Sequence, residues 1–143
     1  MADLALWPIG NCQVSALIDS AGGFVWACQP RVDGDPLFCS LLDPKGDGDP
    51  PRGEWRIAVE NHVSVEQSYL RNTPILSTRL TDADGAVAEI FDFCPRFERS
   101  GRMYRPVAWV RIVRPLAGAP RLLVSLSPAT AWGAKEAERT SGT

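Results

Sequence analysis

The amino-acid sequence predicts an all-β fold, an antiparallel sandwich of about eight short strands. Three observations support this. Apolar residues recur with a period of two along most of the 143 residues, which is the pattern of half-buried strands. Turn-forming residues are frequent, with twelve Gly and twelve Pro. No long segment carries the helical spacing of apolar residues, so at most one short helix is expected.

The strands are assigned from alternation and from the turns between them. Val14, Ala16 and Ile18 share one face of a strand, and the turn Ser20–Gly23 leads into the next. Glycine suits such turns because it adopts positive φ without a Cβ clash. The predicted strands are residues 13–19, 24–28, 55–60, 63–70, 75–81, 87–94, 107–114 and 122–127.

Two local signals refine this assignment. Asp82-Ala83-Asp84-Gly85 is a strong hairpin signal between the strands on either side of it. Residues 36–42 are the best candidate for a short helix, because Asp35 would cap its N-terminus and Pro36 suits the first helical position.

Two segments carry no strand pattern. Residues 43–53 are rich in Gly, Pro and Asp and are expected to form a surface loop. Its alternating Asp residues resemble a calcium loop, but the downstream Glu and flanking helices of an EF-hand are missing. Residues 134–143 are polar and lack a core face. We therefore expect one β-sandwich domain over residues 1–133 and a disordered tail over residues 134–143.

Composition excludes several function classes. The formal net charge of −2 argues against a nucleic-acid partner, which would require basic excess to neutralise phosphates. No apolar run approaches the ~20 residues that span a bilayer, so no membrane partner is expected. The start Met1–Leu4 lacks the basic region and hydrophobic core of a signal peptide. A cytoplasmic location is expected.

The cysteines and the single histidine give no reason to expect a metal, another cofactor or a disulfide. Cys12, Cys28, Cys39 and Cys94 include no C-x-x-C pair, and His62 stands alone. Zinc ligands usually come in close pairs. Cys12, Cys28 and Cys94 lie among apolar residues and are interpreted as small buried thiols.

The densest group of polar and aromatic residues lies between residues 26 and 38. Trp26, Arg31, Asp33 and Asp35 are the candidates for contact with a sugar or with another domain, since Arg offers a planar fork of donors and carboxylates accept from hydroxyls. Alternatively, Arg31 and one Asp form a salt bridge that fixes their own loop. Trp26 is more often a core residue than a sugar-stacking one. Core positions are also expected for the tryptophans Trp55, Trp109 and Trp132.

A second polar group is the basic run of Arg96, Arg99, Arg102 and Arg105, interleaved with aromatic residues. A solvated loop between two strands is the favoured interpretation. A phosphate-binding patch is the alternative.

An ordered series of short motifs resembles the N-terminal domain of glycoside hydrolase family 15, the glucoamylases and bacterial trehalases. Each motif is weak alone, but they follow one another in the family's order along nearly the whole chain. They are Ile9-Gly10-Asn11-Cys12, Ala16-Leu17-Ile18-Asp19, Trp26 with Cys28, Pro30, Arg31 and Asp33, Gly34 to Phe38, Trp55-Arg56-Ile57, Gln67 with Tyr69-Leu70, Thr73 to Leu80, Asp84-Gly85, Asp92-Phe93, Pro95-Arg96 and Val110 to Arg114. One departure is Ala131, where the family commonly has an acidic residue.

The resemblance implies a function for the chain. Family members continue into an (α/α)6 barrel that carries two catalytic Glu and hydrolyses α-glucosides with inversion. None of the seven Glu here matches a family catalytic position, so no catalytic residue is expected. The implied role is to pack on the barrel, the partner domain, and to shape the active-site rim. A free-standing carbohydrate-binding sandwich is the alternative.

A last expectation concerns self-association. A sandwich separated from its barrel would leave an apolar patch and a strand edge uncovered. A homo-oligomer is therefore expected.

Overall fold

The computed structural model describes residues 4–42, 52–138 and 140–142, and within them the protein contains fourteen strands and no helix. Those residues accordingly include no helix that is long and apolar enough to cross a lipid bilayer. The strands are β1 (Trp7–Gly10), β2 (Ser15–Ile18), β3 (Phe24–Cys28), β4 (Pro36–Phe38), β5 (Glu54–Val59), β6 (His62–Tyr69), β7 (Leu76–Asp82), β8 (Val87–Phe93), β9 (Phe97–Arg99), β10 (Arg102–Tyr104), β11 (Val110–Ala117), β12 (Leu122–Ser127), β13 (Ala129–Thr130) and β14 (Lys135–Glu136).

Two antiparallel sheets face each other. One has the strand order β1-β2-β3-β5-β12, with β4 added beside β3, and the other has the order β11-β8-β7-β6. Two short hairpins, β9–β10 and β13–β14, complete the described structure. The predicted all-β sandwich is confirmed, and each of the eight predicted strands corresponds to one strand of the two main sheets.

The core lies between the sheets in two clusters. The larger one fills the end formed by β1–β4 and includes Phe24, Phe38 and Leu76. The smaller one joins Ile57 and Val59 of β5 to apolar residues of β7 and β8. Alternation accounts for both clusters, because every second residue of these strands points to the opposite sheet.

The short helix expected over residues 36–42 is wrong. Pro36–Phe38 forms β4, in which Phe38 pairs with Ala27 and Pro36 with Cys28 of β3. The Asp35 carboxylate accepts hydrogen bonds from the distant turn at residues 131–132 and caps no helix. Tertiary contacts thus overrode a favourable local signal.

The hairpin predicted at Asp82–Gly85 is confirmed. The Asp82 carboxylate Oδ1 accepts hydrogen bonds from the backbone N–H of Asp84 at 2.9 Å and of Ala86 at 2.8 Å. Gly85 has φ +84°, a conformation that glycine tolerates without strain.

The two segments without strand pattern differ in what the structure describes. The predicted surface loop at residues 43–53 falls largely on residues 43–51, which lie outside the described residues. In the segment expected to be a tail, Lys135–Glu136 pairs with Ala129–Thr130. The predicted boundary at residue 133 stays a prediction, as does the cytoplasmic location.

Candidate functional site

The loop of residues 29–35 folds back on itself at the end of β3. The N–H of Gln29 donates to the Asp35 carbonyl at 3.4 Å, and the N–H of Gly34 donates to the Arg31 carbonyl at 3.0 Å. A Cβ on Gly34 would lie 2.8 Å from the Gln29 carbonyl oxygen, so this closure requires glycine. The loop is a fixed platform for the side chains that it carries.

Arg31 and Asp33 form an ion pair on the surface of this loop. Arg31 Nε lies 2.8 Å from Asp33 Oδ1, and Nη2 lies 3.0 Å from Oδ2. Both side chains remain mostly exposed. The hydrogen bonds and charge of this pair raise the pKa of Arg31 and lower the pKa of Asp33. The structure therefore contains the salt bridge that the sequence offered as the alternative to a contact role.

Asp35 connects the loop to a second segment, the turn of residues 131–134 between β13 and β14. Its Oδ2 accepts a hydrogen bond from the N–H of Ala131 at 2.7 Å, and Oδ1 accepts one from the N–H of Trp132 at 2.8 Å. Ala131 and Trp132 have φ of +52° and +57°, so the carboxylate stabilises a backbone shape that side chains disfavour. We call residues 29–35 and 131–134 together the rim.

Arg52 also binds the turn of residues 131–134. Its Nη1 donates to the carbonyl oxygens of Gly133 at 3.3 Å and Ala134 at 3.1 Å. The Asp35 carboxylate thus binds two N–H groups of the turn, and the Arg52 guanidinium binds two of its carbonyl groups. These charge-assisted hydrogen bonds fix the backbone of the turn.

The rim presents Trp132 to solvent. Trp132 is 66% exposed, so the core position expected for it from the sequence is wrong. The residue belongs to a turn with positive φ and has no alternating strand to direct its ring inward. In the sequence, the adjacent Gly133 is the one local sign of this turn. Asp35, which accepts the hydrogen bonds of the turn, lies 97 residues from Trp132 along the chain.

Trp26 occupies a different environment from the other candidates. It lies half-buried in β3, opposite Leu17 of β2. The structure therefore places Arg31, Asp33 and Asp35 in one loop and Trp26 in the strand that precedes it. A contact role of these four residues stays a prediction.

The four cysteines all lie among the described residues; one is an exposed thiol and three are buried thiols, and none of them forms a disulfide. The buried position expected for Cys12 is wrong, because Cys12 lies at the turn after β1 with φ +69° and accepts a hydrogen bond from Arg96. Burial raises the pKa of Cys94 to about 12. Burial and the charges of Asp35 and Asp33 raise the pKa of Cys28.

Cys12 also borders a cleft of about 640 Å³. Apolar and aromatic side chains line most of this cleft, with Arg96 at its edge. The described residues contain no group of three or more His, Cys, Asp or Glu that could hold a metal ion.

Two glutamates are buried, Glu54 in β5 and Glu89 in β8. Each lies next to apolar core residues in its strand, so alternation would direct it away from the core. Glu54 accepts hydrogen bonds from Arg56, with the shortest at 2.6 Å. Glu89 accepts hydrogen bonds from Arg114, Ser77 and Arg79. Burial alone would raise the pKa of Glu89, but these hydrogen bonds outweigh it and lower the pKa. Both carboxylates are thus committed to ion pairs with arginine side chains of the same domain.

The middle of the basic run folds into the β9–β10 hairpin, where a loop was expected, and Arg96 and Arg105 flank it. Arg99 pairs with Arg102 across the hairpin. The rings of Phe97 and Tyr104 stack at a centroid distance of 5.5 Å. These ring contacts account for a strand pair in so polar a segment.

Comparison with known proteins gives a consistent assignment. The family model described as "Trehalase-like, N-terminal" matches residues 6–139. The chain is 40% identical over 93 residues to "Trehalase 1" of Sulfolobus acidocaldarius, a match that covers 64% of this chain and 15% of that protein. It is 29% identical over 133 residues to "Trehalase" of Mycolicibacterium smegmatis, which covers 85% of this chain and 19% of that protein.

The chain thus spans less than a fifth of the length of these two curated relatives. No solved structure matches it significantly. Because the family model covers nearly all of the described residues, and because the motifs of residues 9–38 build the core and the rim, the chain belongs to the family of trehalase-like N-terminal domains.

Proposed function

We propose that this chain is the non-catalytic N-terminal domain of a glycoside hydrolase of family 15, and that it packs against an (α/α)6 catalytic barrel in the same polypeptide. The parent enzyme hydrolyses α-glucosides such as trehalose. Two facts support the proposal: the chain belongs to the trehalase-like N-terminal family, and its match covers only 15% and 19% of two trehalases. The remaining length of such a protein is ample for a separate catalytic domain.

The buried carboxylates support a non-catalytic role. Hydrolysis with inversion requires one carboxylic acid and one carboxylate ~6.5–9.5 Å apart on the two sides of a sugar. Glu54, Glu89 and Asp92 are each buried and paired with arginine. A carboxylate in that state can neither approach a glycosidic oxygen nor activate a water on the protein surface.

The rim supports the choice of contact surface. It combines an exposed indole at Trp132, an exposed ion pair at Arg31 and Asp33, and a backbone fixed by Asp35. Interfaces are enriched in Trp and Arg that are held in place before binding. A fixed loop that carries these residues fits a surface that borders the active site of a neighbouring domain.

The first experiment measures turnover by the 143-residue chain alone. Trehalose and maltose are incubated with the purified chain, and released glucose is compared with that from a barrel-containing family member at equal molar concentration. We expect release only from the barrel-containing protein. Turnover by the isolated chain would overturn the proposal.

The exposed Trp132 favours one rival, a free-standing carbohydrate-binding module. Sugar rings stack on exposed indoles, and Trp132 lies beside polar side chains that can bind hydroxyls. Titration with maltooligosaccharides, followed by tryptophan fluorescence, separates the two functions. Saturable quenching that is lost in Trp132→Ala favours the rival. An unchanged spectrum favours the accessory domain.

A further inference from the structure

The edge strands of the two main sheets differ in how they are protected against pairing with another chain. Native edges usually carry a proline, a charge or a bulge that blocks strand addition. Within the described residues, every edge of the two sheets except one has such a feature. The protected edges are β1 with Pro8, β4 with Pro36, β6 with Glu66 and a register shift after His62, and β11 with Arg114, Pro115 and a further register shift.

The exception is β12, Leu122–Ser127. Its sequence, LLVSLS, contains no charge and no proline. It pairs with β5 in an unbroken register from Leu122–Val59 to Ser127–Glu54, so no bulge twists it away. Val124 is 66% exposed and Leu126 is 51% exposed, which is unusual for adjacent apolar side chains on one strand face.

The backbone of β12 shows which residues are open for pairing. The carbonyl of Arg121 accepts a hydrogen bond from Glu60, and the carbonyl of Ser127 accepts one from Gly53. Both bonds are directed toward β5. Because the backbone groups of an antiparallel strand alternate in direction, Leu122, Val124 and Leu126 direct their N–H and C=O groups outward. No strand among the described residues pairs with them.

We propose that β12 is a homodimer interface, at which a second copy of this chain adds its own β12 antiparallel across a two-fold axis through Val124. In this register Val124 lies opposite Val124 of the partner subunit, and Leu122 lies opposite Leu126 of the partner subunit. All outward backbone groups are then hydrogen-bonded in pairs. The side chains of each pair are apolar and lie on one face, which favours cross-strand packing.

Self-complementarity distinguishes a second copy from other occupants. A two-fold axis places like residues near one another, so a charged edge repels its own copy. On β11, such an axis would bring the exposed Arg114 near its counterpart, whereas β12 carries no charge at all. The continuous edge therefore suits an identical, uncharged strand.

The test is sedimentation velocity of the 143-residue chain at concentrations from 1 to 100 μM, compared between two lysine variants. Val124→Lys places two ammonium groups opposite each other at the axis, and we expect the dimer to weaken by roughly a hundredfold or more. Ile112→Lys is the matched control, since Ile112 is also apolar and 49% exposed on a strand edge, but on the protected β11. We expect it to leave the dimer unchanged.

Hydrogen exchange supplies the second measurement, so that a folding defect is not mistaken for lost pairing. In the wild-type chain, the amides of Leu122, Val124 and Leu126 should be protected at high concentration and lose protection on dilution, while the amides of β7 stay protected. A dimer that loses stability only in Val124→Lys, with this exchange pattern, supports the proposal. A wild-type monomer of 15.6 kDa at 100 μM, or a dimer equally sensitive to Ile112→Lys, overturns it.

Discussion

Arg111 of β11 and Asp92 of β8 form a two-pronged ion pair in the interior of the sandwich, with Nε–Oδ1 at 2.7 Å and Nη2–Oδ2 at 3.1 Å. The side chains are 1% and 0% exposed. Arg111 also donates to the carbonyl of Trp55 in β5 of the opposite sheet and to the carbonyl of Gly22 in the turn that precedes β3, and its guanidinium lies over the Phe24 ring. One side chain therefore connects the two sheets. Burial raises the pKa of Asp92, and Arg111 opposes that change.

Loss of this arginine should destabilise the fold strongly. Arg111→Met leaves Asp92 buried without a counter-ion, and we expect the free energy of unfolding to fall by about 3–5 kcal/mol. The double variant Arg111→Met/Asp92→Leu should recover part of that loss, because no buried charge remains. Urea denaturation followed by circular dichroism measures both. The control Arg121→Ala removes an exposed arginine and should change the free energy by less than about 1 kcal/mol.

A smaller loss for Arg111→Met than for Arg121→Ala would contradict this account of the interior. It would mean that water or another side chain takes over the pairing of Asp92 when the guanidinium is removed.

Glu89 should give the fold a pH-dependent stability. Its pKa is lowered in the folded state, so its contribution is complete above the unfolded pKa of about 4.3 and is lost as the pH falls through the lower folded pKa. At pH 7, Glu89→Gln should cost about 1–2 kcal/mol, since Arg79 and Arg114 are partly solvated. Denaturant unfolding of the wild-type chain and of Glu89→Gln at pH 7 and at pH 3 measures the difference between their free energies of unfolding. This difference should be smaller at pH 3. A constant difference would show that Glu89 contributes through packing.

Asp35 should control the turn that carries Trp132. Asp35→Ala removes the acceptor of two backbone N–H groups, each worth about 1 kcal/mol. We expect amide exchange at Ala131 and Trp132 to accelerate by roughly tenfold or more, as measured by NMR or mass spectrometry. Asp33→Ala is the control, because it removes a nearby carboxylate that pairs with Arg31. Equal amide exchange rates at Ala131 and Trp132 in the two variants would show that the turn is stable without the Asp35 carboxylate.

The four thiols should react at very different rates. Cys12 is exposed, whereas Cys28, Cys39 and Cys94 are buried, and burial raises the pKa of Cys94 to about 12. Reaction of the native chain with a chromogenic disulfide at pH 8 should therefore show one fast thiol, which is missing in Cys12→Ser. Stoichiometric labelling in guanidinium chloride serves as the control. A second fast thiol in the native chain would contradict the described burial.

Alternation identified the main strands because both sheets bury one face, and a period of two then appears in strands such as Val14–Ile18. In β11, by contrast, hydropathy alone would direct Ile112 inward. Ile112 is exposed, and Arg111 is buried. The reversal depends on Asp92 and on the distant carbonyls of Trp55 and Gly22, which have no local signature in the sequence.

The candidate site was predictable only in part. The compact loop with Arg31, Asp33 and Asp35 is visible as a polar segment between two apolar ones. The Asp35–Trp132 contact joins residues 97 positions apart. It depends on how the loop of residues 29–35 meets the turn of residues 131–134, which no local pattern in the sequence indicates. The core positions predicted for Trp132 and Cys12 are wrong because both residues have positive φ outside any strand, where no alternation directs the side chain inward.

The central claim, that the rim serves a catalytic domain, is tested most directly in a chimera in which this chain replaces the matching segment of the Mycolicibacterium smegmatis trehalase. Trehalose hydrolysis is measured for the chimera, for Trp132→Ala and for Arg121→Ala, whose substitution lies at the opposite end of β12. We predict that Trp132→Ala lowers kcat/KM about tenfold, which corresponds to one lost interaction of ~1.4 kcal/mol, at an unchanged melting temperature. Equal kcat/KM for all three proteins would contradict the claim.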